Sequence, residues 1–364
     1  MEKYIQGECM TMCPDEEIKM RETQKLLHIL EIAPGTEHYR LPRADKNKMV
    51  KEFGRSAAGK THNPKSIRPP SVLLKTVHFL MTEVATNTTI PWNVIYDYIA
   101  DRLRSIRQDM IIQNTNLAHT ITILQPIVRF YAFSAYTLYG CNRSIFDDFL
   151  NNKHLLECLK RLLNNYDDFD ILIKTKQTEF EEYLLENRPQ FEAMYIIFNI
   201  GEEAAILRGI NLDQKWRTSE VESAIKLSIL FSNGNYVKYC RLITHFPPIL
   251  AALASLHLPK MRRWGFKVMS NAYNSKTLTY PVKKFKTIFL YNSDEEVEQN
   301  CGHFGFPVGV NGISLQKQYF KENTENETEK DNKNKPMYEV PFVKPEFIEE
   351  KVFDTCLSDL LLYS

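Results

Sequence analysis

One run fits the phosphate-cradling pattern G-x-x-x-x-G-K-[ST] without error: Gly54-Arg-Ser-Ala-Ala-Gly59-Lys60-Thr61. In a nucleotide site the loop amides face the phosphates, the Lys reaches them, and the hydroxyl holds magnesium. That geometry needs a buried strand before the loop and a helix starting at its Lys-Thr end. Here residues 45–53 read as polar and helix-like, and Pro64, Pro69 and Pro70 block a long helix afterwards. A P-loop NTPase using residues 54–61 is therefore the remote alternative. Cys9 and Cys13 could form half of a zinc site, but no second pair follows at finger spacing, and Cys301-x-His303 stands alone. No metal and no cofactor is expected, and the two cysteines read as small side chains packing a folded N-terminal arm. G-x-S-x-G and H-E-x-x-H are absent. The pairs Asp147-Asp148 and Asp167-Asp168 read as helix caps and solvated faces. The expectation is a protein that is not an enzyme.

Two sets of cations carry more. Asp101, Arg102, Arg104, Arg107 and Asp109 crowd nine residues. At helical spacing Arg102 and Asp109 flank one side of an apolar stripe and Arg107 the other. That disfavours a single basic stripe and favours Arg groups bridging helices through carboxylates or carbonyls, with partner contact as the lesser reading. The formal net charge is only +1, but it conceals segregation. Residues 40–68 hold nine Lys/Arg against two Asp/Glu, and residues 260–286 hold eight against none. Residues 147–186 hold five against ten, and residues 294–364 seven against fifteen. The block containing Lys260, Arg262, Arg263, Lys267, Lys283, Lys284 and Lys286, with Trp264, Phe266 and Tyr273 among them, suits a nucleic-acid surface. The acidic C-terminal stretch could screen it or compete for it.

The elements that must position these residues have helical period. Trp92, Ile95, Ile99, Leu103, Ile106 and Met110 form one stripe over residues 91–113. Ser71 is expected to cap a helix bearing Leu73, Val77, Leu80 and Val84. Further helices are expected over 15–31, 154–166, 179–186, 190–200, 219–231, 236–245, 248–257 and 260–273, and Pro126 should kink a helix of its own. Short connections suggest antiparallel helix pairs stacked side by side, an α-solenoid-like array. After Tyr280 come short helices over 282–291 and 294–301. A hairpin follows in which Asn311-Gly312 is the two-residue turn between Val308, Val310 and Ile313, Leu315. Helix, helix, hairpin is the order of a winged-helix module. Residues 321–335 (KENTENETEKDNKNK) read as a disordered linker, and 342–362 as one terminal helix.

The expected division is therefore an N-terminal arm and basic segment over 1–70, a helical array over 71–280, and a winged-helix module over 281–320. A disordered linker over 321–336 and a C-terminal helix over 337–364 complete it. Residues 1–6 carry charges with no apolar core after them, and no apolar run approaches the ~18 residues of a membrane span. No membrane partner is expected, and seven scattered cysteines read as reduced thiols of the cytosol or nucleus.

These residues together resemble the Sac/GANP (suppressor-of-actin, germinal-centre-associated nuclear protein) family. Its opening Gly-x-Cys-x-x-Met-Cys-Pro run matches Gly7, Cys9, Met12, Cys13 and Pro14. A second run matches Val50-Lys51 and Arg55-Ser56-Ala57-Ala58-Gly59, which accounts for the phosphate-loop pattern. Arg68-Pro69 fits the Arg-Pro before a helix. The signature Asp-Arg-x-Arg-x-Ile-Arg-Gln-Asp matches Asp101, Arg102, Arg104, Ile106, Arg107, Gln108 and Asp109, followed by Gln113. Glu179-Phe180 with Tyr183, and Gly234-Asn235-Tyr236, fit later landmarks. Gln125-Pro126 before Arg129-Phe130-Tyr131 departs from the Glu that the family often has there. The resemblance implies a PCI-type fold, a helical array ending in a winged helix, in a non-enzymatic scaffold. Long members look like organisers of nuclear mRNA export, pairing with a PCI-domain protein and a small acidic Sem/DSS-type subunit, and binding RNA or DNA. Short stand-alone animal members, which this chain resembles most, are associated with centrosome duplication and the spindle. They imply centrosomal partners through protein contacts alone. Localisation is thus expected in the nucleus, or in the cytoplasm at centrosome and spindle.

Overall fold

The computed structural model describes residues 5–54, 63–175, 182–321 and 344–363. Arg55, most of the phosphate-loop pattern, Glu179-Phe180 and nearly all of the expected linker lie outside the described residues. The helices are α1 (Asp15–Thr23), α2 (Pro70–Phe79), α3 (Trp92–Ile112), α4 (Leu117–Thr137), α5 (Asp148–Lys174), α6 (Arg188–Phe198), α7 (Glu203–Asn211) and α8 (Ser219–Ser232). They continue with α9 (Tyr236–Ile243), α10 (Pro248–Ser255), α11 (Leu258–Ala272), α12 (Val282–Phe289) and α13 (Asp294–Phe304). The strands β1 (Val308–Gly309) and β2 (Gly312–Ile313) precede α14 (Glu346–Phe353) and α15 (Leu357–Leu362). Among the described residues the fold is all-α apart from this hairpin. None of its helices is long and apolar enough to cross a membrane.

The chain divides into two compact units, and the division passes through α4 and α5. The first comprises Met1–Phe130, Asn164–Leu184 and Leu357–Ser364. Its core is built on the expected α3 stripe: Ile95, Ile99, Leu103, Ile106 and Met110 are buried. Leu73, Val77 and Leu80 of α2 and its π-helical continuation are buried as well. α15 packs against that π turn, and the Arg129 guanidinium donates to the Leu362 carbonyl.

The second unit comprises Tyr131–Leu163 and Leu185–Cys356. In it α6 packs on α7, α8 and α10, and α9 packs on α8, α11 and α12. Phe266, Met269, Phe285, Phe289, Val297, Cys301, Phe304, Phe306, Ile313 and Leu315 form one core joining α11, α12, α13 and the hairpin.

Several local expectations need correction. α1 stops at Thr23 because Lys25 turns left-handed at φ 59°, and residues 29–31 form a separate 3₁₀ turn. Residues 46–48 make a turn after Asp45, not a helix, and bury Met49 and Val50. Ser71 lies inside the first turn of α2, whose cap position is Pro69. α5 is far longer than 154–166 and starts after Asp147, whose carboxylate accepts from the Leu150 amide. α7 is not among the expected helices, and its inner face is made of the small residues Ala205 and Gly209. A Cβ there would stand 2.7 Å from Ile196, so the glycine permits the approach of α6. Two helices, α14 and α15, replace the single terminal one.

The hairpin register shifts by one residue. Val308 pairs with Ile313 and Gly309 with Gly312, so Val310-Asn311 is the turn and Gly312 is in the strand. The cause is Tyr280, which bridges Ile313 with reciprocal backbone hydrogen bonds of 2.8 Å. A Cβ on Gly312 would stand 2.5 Å from the Tyr280 carbonyl oxygen. The glycine is required both by this third backbone and by its own φ of +123°.

α11 and α12 also meet at a glycine. A Cβ on Gly265 would lie 2.2 Å from Phe289 Cε1. Gly265→Ala is expected to cost about 1–3 kcal/mol by overpacking, measured from urea midpoints. Gly309→Ala, which faces open space, should stay within about 0.5 kcal/mol.

Candidate nucleic-acid interface

α11 has two faces. Arg262, Gly265, Phe266 and Met269 are buried, at the spacing of a single inner stripe. Lys260, Trp264, Val268 and Asn271 are exposed on the other side, with Arg263 and Lys267 half-buried between. Arg262 therefore leaves the expected nucleic-acid set. It is 1% exposed, its Nε donates to the Phe289 carbonyl at 3.0 Å, and its Nη2 donates to that of Leu290 at 2.8 Å. These are the last carbonyls of α12, whose cap residue Leu290 is left-handed at φ 58°. The guanidinium thus caps α12, and it lies 4.1 Å from the Tyr291 ring centre. Phe266 likewise belongs to the core, stacked on Phe289 and Phe306.

The landmark Gly234-Asn235-Tyr236 fixes the outer face. Gly234, at φ +63°, lies so close to Trp264 that a Cβ would stand 1.9 Å from the indole Nε1. Asn235 caps α9 by accepting from the Lys238 amide, and Tyr236 stacks on Phe289 at 5.0 Å. On α12, Lys283 and Lys284 are exposed, while Lys286 pairs with Asp294 at 3.2 Å. Lys260 Nζ sits 5.0 Å from the Phe231 ring centre.

The Asp-Arg signature lies in the first unit, where it builds a buried ionic lattice. Asp109, 0% exposed, accepts from Lys51 Nζ at 2.6 Å and from Arg68 Nε at 2.8 Å. Arg68 also donates to Ser105 Oγ and to the Met12 carbonyl, which in turn accepts the Lys51 amide. Gln113 donates to the Arg68 carbonyl. Arg102 donates to Glu31, Glu52 and Asp101, and lies 4.4 Å from the Tyr98 ring centre. The buried Glu31 carboxylate accepts from Arg102, Arg21 and Tyr98. Asp101 also accepts the Phe53 amide, Arg104 covers the Phe53 ring at 4.0 Å, and Gln108 donates to the Gly54 carbonyl. Arg107 is half-buried on the same helix.

Four sequence landmarks therefore meet at one place, and they position the N-terminal arm on α3. Glu8 and Cys9 amides donate to the Pro64 and Ile67 carbonyls, and a Cβ on Gly7 would stand 2.6 Å from the latter oxygen. Cys13 packs with Ile18 and Met49, and its burial, reinforced by Glu17, pushes the thiol pKa far up. Sequence reasoning missed Arg21 and Glu31, which have no local pattern and acquire their partners only through tertiary contact.

No cluster of three or more His, Cys, Asp or Glu able to hold a metal forms among the described residues. A cavity of about 180 Å³ in the second unit is lined by Tyr139, Arg143, Phe146, Asp148 and His257, among others. His257 Nε2 lies 3.1 Å from the Ile197 carbonyl, and burial lowers the His257 pKa to about 4. Its imidazole is neutral at pH 7 and tied to the backbone.

A family model described as the SAC3/GANP family matches residues 12–309. The chain is 27% identical over 340 residues to SAC3 family protein 1 of Schizosaccharomyces pombe, covering 86% of this chain and 32% of that protein. It is 24% identical to Protein xmas of Drosophila melanogaster, over 84% of this chain and 15% of the relative. It is 23% identical to SAC3 family protein B of Arabidopsis thaliana, over 84% and 18%. The chain thus spans about a third or less of the length of these curated relatives.

Asp109→Asn would leave Lys51 and Arg68 uncompensated in a buried site. Loss of about 3–5 kcal/mol is expected from urea denaturation. Asp101→Asn, at a half-exposed pair, should cost about 1 kcal/mol or less.

Proposed function

The chain belongs to the SAC3/GANP family, and on that premise we propose that it is a binding scaffold, not a catalyst, acting in nuclear mRNA export. In this reading α12, α13 and the hairpin are a winged helix, and the preceding helices are a PCI-type array. A PCI-domain protein and a small acidic subunit are the expected partners, and the basic surface of α11 and α12 meets nucleic acid. The observation that carries the reading is the exposure of Lys260, Lys283 and Lys284 within residues 260–286, which contain no carboxylate. Exposed cations without counter-charges attract phosphates, and they do so in a salt-dependent way. The buried core beneath, from Phe266 to Leu315, holds the surface rigid. Rigid presentation on helices suits a platform that partners assemble around.

The triple change Lys260→Glu, Lys283→Glu and Lys284→Glu tests this. Homopolymer RNA binding should fall at least tenfold, and the salt slope should become shallower by about 0.7 per lost phosphate contact on a single strand. The melting curve should be unchanged, since all three side chains are exposed. Unaltered affinity would contradict the reading. Affinity purification of the tagged chain from cells should recover a PCI-domain protein and a small acidic subunit; recovery of centrosomal proteins alone would contradict the export role.

A further inference from the structure

We infer that Trp264 is a stacking platform for an unpaired base, and that the α11 face binds single-stranded rather than duplex nucleic acid; this rests on the nucleic-acid reading above. The outer stripe of α11 runs Lys260, Trp264, Val268, Asn271 at helical spacing, with Arg263 and Lys267 alongside. Cations interleaved with an exposed aromatic are what a single strand uses: charge follows the backbone and a π face takes a base. Trp264 is 47% exposed, an unusual position for the largest apolar side chain. It is also held in place, because the indole lies against Gly234 where any other residue would carry a Cβ. A ring already fixed loses little side-chain freedom when a base stacks on it. Lys260, one turn earlier, is placed beside it over Phe231.

Duplex docking through the helix–helix–hairpin module is opposed by charge. A helix entering the major groove passes between two rows of phosphates. The second helix of the module, α13, begins Asp294-Glu295-Glu296 and carries Glu298 in its next turn. Glu295 and Glu298 are exposed. Hydrogen bonds from its own backbone N–H and from Ser293 hold the Glu295 carboxyl below the usual range, so it stays ionised. The hairpin supplies no compensation. Residues 287–316, which span α13 and the hairpin, contain no Lys or Arg, and its tip residue Val310 is fully exposed. The cations of residues 260–286 lie before α13, and Lys317 and Lys321 come only after the hairpin.

The test measures full-length protein against a 20-nucleotide uridine strand, a 20-nucleotide thymidine strand and a 20-base-pair duplex by fluorescence anisotropy at several salt concentrations. The wild type should prefer both single strands. Trp264→Ala should weaken both about tenfold with an unchanged salt slope, leaving duplex affinity as it was, whereas Trp264→Phe retains most of the binding. Glu295→Gln with Glu298→Gln should strengthen duplex binding. Circular dichroism melting confirms that each variant is folded. Equal loss on single strands and duplex, or no loss with Trp264→Ala, would overturn this inference while leaving the parent reading intact. Absence of wild-type binding to all three ligands would overturn both.

Discussion

The buried guanidinium of Arg262 ties the last two carbonyls of α12 to the middle of α11. Everything in the candidate interface depends on that tie. It sets how α12 lies across α11, so Phe289 can settle over Gly265 and stack on Tyr236 and Phe266. The same packing turns Phe285 into the core and leaves Lys283 and Lys284 at the surface. Arg suits this place because its planar fork bridges two adjacent acceptors and its face covers Tyr291. A Lys there would have a point charge and no fork. Burial lowers the Arg262 pKa, but the group keeps its charge at neutral pH, and two carbonyl acceptors offset part of its desolvation.

The first unit applies the same chemistry to another task. Glu31 and Asp109 are carboxylates removed from water, and each is surrounded by cations from distant parts of the chain. Such pairs add little net stability over apolar packing, but removing one partner is costly. Here they tie Glu31, Lys51 and Arg68 to α3 at defined points. Asp101, Arg102, Arg104, Gln108 and Asp109 of the signature Asp-Arg-x-Arg-x-Ile-Arg-Gln-Asp thus hold parts of residues 31–54 and 66–68 on α3.

How much of this was legible depended on distance along the chain. The α3 stripe was readable because helical periodicity is local, and its five residues from Ile95 to Met110 are buried. The hairpin was readable from Val308, Gly312 and Ile313, but its register was not, because Tyr280 rather than the turn decides it. By charge Arg262 reads as part of the basic surface, yet its spacing from Phe266 and Met269 already places it on their face. The partnership of Arg21 with Glu31 was not, since nothing local announces which buried charge meets which. Trp264 could be noticed as an aromatic among lysines, but its immobilisation against Gly234 required the fold.

In the proposed function nucleic acid meets this protein on α11. Photo-crosslinking a 4-thiouridine strand to the full chain, followed by mass-spectrometric mapping of the modified peptides, locates the contact directly. Crosslinks are expected within residues 258–272, centred on Trp264 and lost when excess unlabelled single strand competes. Crosslinks confined to α13 and the hairpin, or spread evenly over the basic segment at residues 40–68, would contradict it.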